Sequence, residues 1–430
     1  MPLLRIPGFR LLLAGFFLSA LAPWAQRTAM LIWVFSLTHS GVMVSLVGLM
    51  EALPLLVLAP LAGVFVDRWS RARTMAGAVL CQALALTPLL FVHDRSGIPI
   101  ILVVTLLVNS MSQFFMPAAN AAIPVVVGQE GVGAANSLIQ MINSFVLILS
   151  PALSSLLFAL IGPHGLFLVL IVIYVLAAPL LIAVPAPRPA EARDGATTVL
   201  AEMRAGLAYV RRSSVLMAIV AVAFVALLGA GAMSVLDVVF VTRALHLRSE
   251  TVGFLLTASG LGQLVGGLMM LFVSRWAARR YHRLLALSII ASALCIIVYA
   301  VAPTLPVAVV ALFCSGLAFT PLIVSFMSLI QIVTEDAFMG RVMSLVNTGM
   351  AVAMVVSLAS GGALADLFGV RQVIGGGAGI FLLSGVLTLA LVRSTPRRPA
   401  ASQESLPAAL PTPPTASRSS TSSLPITQLS

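Results

Sequence analysis

Apolar residues come along this chain in twelve runs, each closed by charged residues, by Gly and Pro, or by a polar cluster. The first six lie at about 9–37, 41–66, 74–92, 98–126, 134–161 and 166–185; the second six lie at about 214–243, 251–273, 284–302, 305–331, 341–365 and 371–393. A hydrocarbon layer about 30 Å thick is crossed by roughly 20 helical residues, so each run is long enough to span one. The expected fold is all-α and integral to a membrane, with twelve transmembrane helices. The longest interior connection, 186–213, starts rich in Pro and ends in a short amphipathic helix expected at 199–212 on the membrane face. It separates an N-terminal six-helix bundle, 1–185, from a C-terminal one, 214–393. The remainder, 394–430, is Pro, Ser, Thr and Ala without periodicity, the composition of a disordered tail.

Charge fixes the orientation. Only 9% of residues are charged and 60% are hydrophobic, against about 25% charged in soluble proteins. All 24 basic residues are Arg, and an even number of crossings puts both termini on one side. Assigning that side to the cytoplasm gives it 19 arginines and leaves Arg95, Arg243, Arg248 and Arg371 outside, with Arg27 inside a helix. This asymmetry satisfies the positive-inside rule. The formal charge of +11 is therefore orientation charge, and without aromatic and basic interleaving it carries no nucleic-acid reading. Arg5 and Arg10 precede the first run as in a signal peptide, but the run is too long and lacks a small-residue cleavage site, so a retained helix is expected. Cys81, Cys295 and Cys314 each stand alone in an apolar run; three buried thiols and no disulfide are expected.

The knot of charge between the second and third runs is Gly63-Val64-Phe65-Val66-Asp67-Arg68-Trp69-Ser70-Arg71-Ala72-Arg73. Burying Asp67, Arg68, Arg71 and Arg73 in hydrocarbon would cost several kcal/mol each, so the segment belongs at the membrane surface. It resembles the signature loop of the major facilitator superfamily, in which a Gly precedes an Asp-Arg pair and further basic residues follow. The turn after the eighth run, Ser274-Arg275-Trp276-Ala277-Ala278-Arg279-Arg280, echoes it with Ser274 in the acidic position. Such a tandem repeat of two six-helix halves is the architecture the resemblance implies, with a site near the midplane between them. Trp24-Ala25-Gln26-Arg27-Thr28-Ala29, Phe115-Met116-Pro117-Ala118, Ala135-Asn136 and Gly340-Arg341-Val342-Met343-Ser344 look like the drug-exporter branch that includes macrolide efflux proteins and the enterobactin exporter. One departure is in the fifth run, where exporters often carry Gly-Pro and paired glycines and this chain has Ser150-Pro151-Ala152-Leu153-Ser154-Ser155, small residues that keep the packing role.

The sequence holds no H-E-x-x-H, no G-x-S-x-G and no P-loop, so an enzyme is not expected. His39, His93, His164, His246 and His282 fall in turns and are read as scattered, which argues against a metal site. Gly260-Leu261-Gly262-Gln263-Leu264-Val265-Gly266 lies inside an apolar run and reads as close helix packing, not as a nucleotide loop.

Ionisable residues inside spans are the candidates for chemistry. Arg27 lies twelve residues before His39 in the first outer turn and Glu51 twelve after it. At 1.5 Å per residue both are about 18 Å in from the turn, so an antiparallel pair of helices brings them together near mid-membrane. Two readings are open: a static ion pair, or a pair that opens when Glu51 takes a proton. Asp237 in the seventh run has two readings as well, facing Arg27 or a substrate in the cavity, or sitting solvated at the outer rim near Arg243. Asn109, Gln113 and Asn120 share one helical face by their spacing, which should turn to the cavity or to a neighbouring helix; with Trp24 and Gln26 they are expected to line the cavity. The resemblance implies a gate in which Asp67 meets the start of the eleventh helix at Gly340 and Arg341, and physics agrees that an anion is stabilised at a helix N-terminus.

The expected function is a secondary transporter in a bacterial inner membrane, exporting a small amphipathic organic compound by proton antiport, with no cofactor beyond the proton gradient. A monomer surrounded by membrane lipid is expected, with a small-molecule substrate and no nucleic-acid partner. The alternatives are a uniporter or importer of a small metabolite, a non-transporting membrane receptor, and a membrane-embedded enzyme.

Overall fold

The computed structural model describes residues 2–66, 69–185, 207–277, 280–335 and 338–391; for 2, 59–66 and 273–277 only the backbone is described. These residues belong to one compact unit that closes at Ser394. Asp67, Arg68, most of the 186–213 connection and the 394–430 tail lie outside them. So do Ala278 and Arg279 in the turn that echoes the signature loop.

Ten continuous helical stretches among the described residues are long and apolar enough to cross a membrane. One of them, Arg95–Ile182, runs for 88 residues, and two glycines break it. Gly128 (φ 71°, ψ 166°) and Gly162 (φ 70°, ψ −179°) sit in a backbone region that only glycine populates freely. The long stretch is thus three crossings, which brings the crossings among the described residues to twelve. In order they are α1 (Pro7–Thr38), α2 (Gly41–Val66), α3 (Arg71–Leu86, continued by a 3-10 turn Thr87–Phe91), α4 (98–127), α5 (129–161) and α6 (163–182). They continue as α7 (Ser214–Arg243, broken between Ala230 and Met233), α8 (Val252–Ala277), α9 (Tyr281–Val301), α10 (Leu305–Val333), α11 (Met339–Phe368) and α12 (Val370–Leu391). Every expected span is met by one helix. Of the amphipathic helix expected at 199–212, only 207–212 is described, and it is helical.

The faces turned away from the bundle carry large exposed apolar side chains such as Leu84, Leu160, Phe254, Phe272 and Leu367. Lipid tails are as apolar as leucine, so contacts inside the bundle are selected for closeness and hydrogen bonding. Small residues supply both. Ser150 and Ser154 of α5 donate to the carbonyls of Leu21 and Ala25 on α1 at 3.2 and 2.7 Å, which is the packing role expected of that run. On α8 the expected close packing is met: a Cβ at Gly262 would lie 2.1 Å from the Phe313 carbonyl oxygen of α10, and one at Gly266 2.4 Å from that of Leu317. Gly362 of α11 would meet the Gly41 carbonyl of α2 at 2.3 Å, and Gly253 of α8 would meet Ser155 of α5 at 2.3 Å. These last two contacts join the halves, and both lie toward the end opposite the arginine-rich turns. We call that end outer.

The expected burial of the cysteines needs correction. All three are free, but Cys81 is exposed and Cys295 and Cys314 are half-buried. In a membrane the outer face of a helix is as apolar as its core, so an apolar run does not say which side a residue takes.

Gly128→Ala is expected to lower stability by about 1–3 kcal/mol, the range for a residue held in a sparsely populated backbone region. A Cβ there would meet nothing within 4 Å, so the effect comes from φ alone. Gly133→Ala, equally unobstructed but in regular helix within α5, should be neutral or stabilising. Thermal unfolding of the two purified variants in detergent measures the difference.

Candidate functional site

α1 carries Arg27 up from the inner side and α2 carries Glu51 down from the outer side. The structure brings them together: Arg27 Nε lies 3.1 Å from Glu51 Oε2, with the two side chains 26% and 15% exposed. The same guanidinium donates through Nη2 to the Ser234 carbonyl at 3.4 Å and lies 5.9 Å from the centre of the Trp24 ring. Ser234 follows the break in α7, where the Ala232 amide donates to Ser357 Oγ of α11, and Ser357 in turn donates to the Leu228 carbonyl, both at 2.9 Å. Interrupted membrane helices mark binding sites in transporters because they free backbone polar groups. Arg27 therefore links a carboxylate of the first half to the backbone of the second.

The pair stands on the wall of a chamber of about 350 Å³ lined by Trp24, Gln26, Gln82, Asn109, Ser112 and Phe115, with Met354 contributed by α11. Gln82 donates to Ser112 Oγ at 2.7 Å, while the side-chain oxygen of buried Gln26 has no hydrogen-bond partner. Met116 and Asn143 also line a second chamber of about 500 Å³, which extends along α4 and α5 to Asn120, Gln129 and Asn136. Gln129 lies one residue from the inner break at Gly128, so the second chamber reaches the inner end of the bundle.

At the outer end the halves are clasped. Asp366, at the close of α11, accepts from the backbone amides of Gly41 and Val42 at 3.0 and 3.1 Å and from the Ser40 hydroxyl at 3.0 Å. The first amides of a helix have no partner of their own, and here a carboxylate from the other half supplies one. Arg243 of α7 pairs with Asp366 at 2.6 Å and donates to the carbonyl of His39, the residue that caps α1. Four hydrogen-bonding partners from the α1–α2 turn thus meet Asp366 and Arg243. The outer side is shut and the cavity belongs to the inner side.

Not every expected site residue lies where the sequence put it. Trp24, Gln26 and Asn109 line the first chamber and Asn120 the second. Gln113 is among the lining residues of neither; its amide donates back to the Asn109 carbonyl at 3.2 Å. Asp237 corrects its rim reading: it is buried, and the hydroxyl of Tyr299 on α9 donates to its Oδ1 at 2.8 Å; it lines neither chamber, but Arg27 stays within electrostatic reach of it. The cation expected near it, Arg243, goes to Asp366 instead. The histidines are not all scattered, since the rings of His93 and His164 meet at a tilt with centres 4.9 Å apart, although no cluster of three metal-ligating side chains occurs among the described residues. Of the expected inner gate, Gly63 lies in α2, Arg71 and Arg73 open α3, Gly340 has open space around its α-carbon, and Arg341 lies 5.4 Å from the Phe338 ring centre. Asp67 and Arg68 lie outside the described residues.

The Major Facilitator Superfamily profile matches residues 12–337 and 219–423. The chain belongs to that superfamily. Macrolide efflux protein A of Streptococcus pyogenes is 26% identical over 391 residues, covering 88% of this chain and 92% of that protein. The multidrug efflux pump Tap of Mycolicibacterium fortuitum is 27% identical over 375 residues, covering 83% and 89%. Among solved structures, a mutant form of the nucleoside transporter NupG superposes with a TM-score of 0.76 at 14% identity, covering 90% of this chain and all of that one. At that identity the likeness concerns the fold. The protein is a multi-pass membrane transporter, not an enzyme.

Removing the charge of Asp366 tests the clasp. Asp366→Asn is expected to weaken the closed outer side by about 1–2 kcal/mol, a five- to thirtyfold shift between conformations. Spin-label distances between the outer ends of α2 and α11 should show a wider population; an unchanged distribution would count against the clasp.

Proposed function

We propose that this protein exports a small amphipathic organic compound from the bacterial cytoplasm in exchange for protons. The observation that supports this most is the Arg27–Glu51 pair on the wall of a cavity that belongs to the inner, arginine-rich side. Relatives named as macrolide and multidrug efflux proteins support the direction and the class of substrate.

In this reading the structure corresponds to the inward-open state with Glu51 ionised. An isolated guanidinium in hydrocarbon is expensive, so the ionised carboxylate holds Arg27 in place. A proton arriving from the outer side neutralises Glu51 and releases Arg27, which changes its contact with the Ser234 carbonyl across the halves. Return of that proton to the cytoplasm restores the pair and readies the cavity for substrate. Asp237, bonded to Tyr299, is proposed as a second site able to hold a proton. On the inner face, Asp67 closes against the start of α11 at Gly340 and Arg341 when the outer clasp opens, with Gly63, Arg68, Arg71 and Arg73 shaping the turn. The transporter works as a monomer in the inner membrane with both termini in the cytoplasm, and it uses no cofactor.

Glu51→Gln keeps the shape of the side chain and removes its titration. Efflux of a fluorescent amphipathic dye from cells lacking their own pumps should fall at least tenfold, and collapse of the proton gradient should then change little. Undiminished, gradient-dependent efflux by this variant would take Glu51 out of the coupling.

A further inference from the structure

The second chamber is lined by ten residues, of which five, Asn120, Gln129, Asn136, Gln140 and Asn143, bear carboxamides and none is charged. Gln129, Asn136, Gln140 and Asn143 follow one another at spacings of seven, four and three along α5, which sets them on a single helical face. α4 closes the chamber opposite them with Asn120, Ile123 and Pro124.

A mouth that only holds water has no reason to avoid charge, and this one opens on the side that carries most of the arginines. A carboxamide offers two donors and an acceptor without a net charge. Neighbouring amides one helical turn apart, with β-carbons about 5–6 Å from each other, pair with adjacent hydroxyl groups and reject an ion, which would find no countercharge. Ile123, Pro124, Val132 and Ile139 supply apolar contact between the amides, as the carbon face of a saturated ring requires. The first chamber also carries carboxamides, Gln26, Gln82 and Asn109, but adds to them the Arg27–Glu51 pair and the Trp24 and Phe115 rings. From Asn109 to Asn120 the two chambers extend over eleven residues of α4, about 16 Å.

We propose that the second chamber is a subsite for an uncharged, hydroxyl-rich head group of the glycosyl kind, and that the transported compound is bipartite, its aromatic or apolar part lying in the first chamber. This rests on the export reading for the direction of transport but not for the binding itself.

The test uses the full-length protein in detergent at one pH, without a gradient, and two probes: 2-naphthyl β-D-glucopyranoside and its aglycone, 2-naphthol. Calorimetric titration of the unaltered protein should show the glucoside binding about tenfold more tightly. In Asn136→Leu/Gln140→Leu that advantage should disappear while binding of 2-naphthol is retained, since two neutral hydrogen bonds are together worth about tenfold. Retained 2-naphthol binding also reports that the variant is folded. Should the double variant not fold, Gln140→Met alone, at an exposed position, should lose about threefold for the glucoside only. Equal affinity for the two probes in the unaltered protein, or equal losses for both in the variants, would overturn the proposal. The titration uses no gradient and leaves the Arg27–Glu51 pair intact, so proton coupling and this subsite can fail separately.

Discussion

A guanidinium in hydrocarbon must have a partner, and much of this molecule follows from that need. Arg27 sits about 18 Å from the outer turn, where water does not reach it from that side. Glu51 satisfies it at 3.1 Å. The pair is worth little as a source of stability, because desolvating two ions offsets most of their attraction; losing one partner, however, leaves the other buried and uncompensated at several kcal/mol. That asymmetry makes the pair suited to a switch. Neutralising the carboxylate forces the guanidinium to find another arrangement, and its one further hydrogen bond described is to the carbonyl of Ser234 in the opposite half. Charge state and the seam between halves are joined through a single side chain.

The outer clasp uses related physics at a different place. Helix termini expose unpaired amides and carry the positive end of the helix dipole, so a carboxylate can fasten one helix to another without deep burial. Asp366 does this to α2, and Arg243 balances its charge and reaches the end of α1. The contact proposed for Asp67 at the start of α11 would be its counterpart on the inner face. If the two halves rock as rigid bodies, the two fastenings cannot be made together, and the preference between states is the difference of two modest terms. Glycines at 362 and 253 let the helices approach closely enough at the outer seam for the clasp to form. Their effect is steric while that of Asp366 is electrostatic, so salt should weaken the clasp without loosening the glycine contacts.

Features with a fixed spacing along the chain were legible before the structure. The twelve spans followed from run length alone, and the Arg27–Glu51 contact followed from equal distance to His39 along two antiparallel helices. What depended on a partner from elsewhere was not legible. Asp366 lies one residue past the expected end of the eleventh run, and its three backbone and hydroxyl donors are more than 300 residues away in sequence. Asp237 is satisfied by Tyr299, which no local pattern singles out. Gln113 has the right spacing for the cavity but lines neither chamber, although its bond to the preceding turn is of the kind that cavity-lining Asn109 also makes. The stripe Gln129, Asn136, Gln140 and Asn143 did carry a readable signal, a polar face in an apolar run, of the same kind that pointed to Asn109 and Asn120.

The second chamber sets recognition of the head group apart from coupling, and this separation has a physical reason. A substrate that itself neutralised Glu51 or Arg27 would compete with the proton for the switch, and its binding would shift the conformational balance by its own charge. Holding a polar, uncharged part of the ligand on carboxamides, in a chamber that shares only Met116 and Asn143 with the one containing the pair, lets binding strength vary without altering the electrostatics at mid-membrane. A ligand can shift a two-state equilibrium only by the difference in its affinity for the two states. The second chamber lies at the inner end and is lined by α4 and α5 alone; closing the inner side would cover a head group bound there, so such a group is accommodated in the inward-open state. A head group bound there would favour that state and would have to leave before the inner side closed. Recognition by neutral hydrogen bonds, each individually weak, keeps that departure fast enough for the substrate to move on toward the outer side.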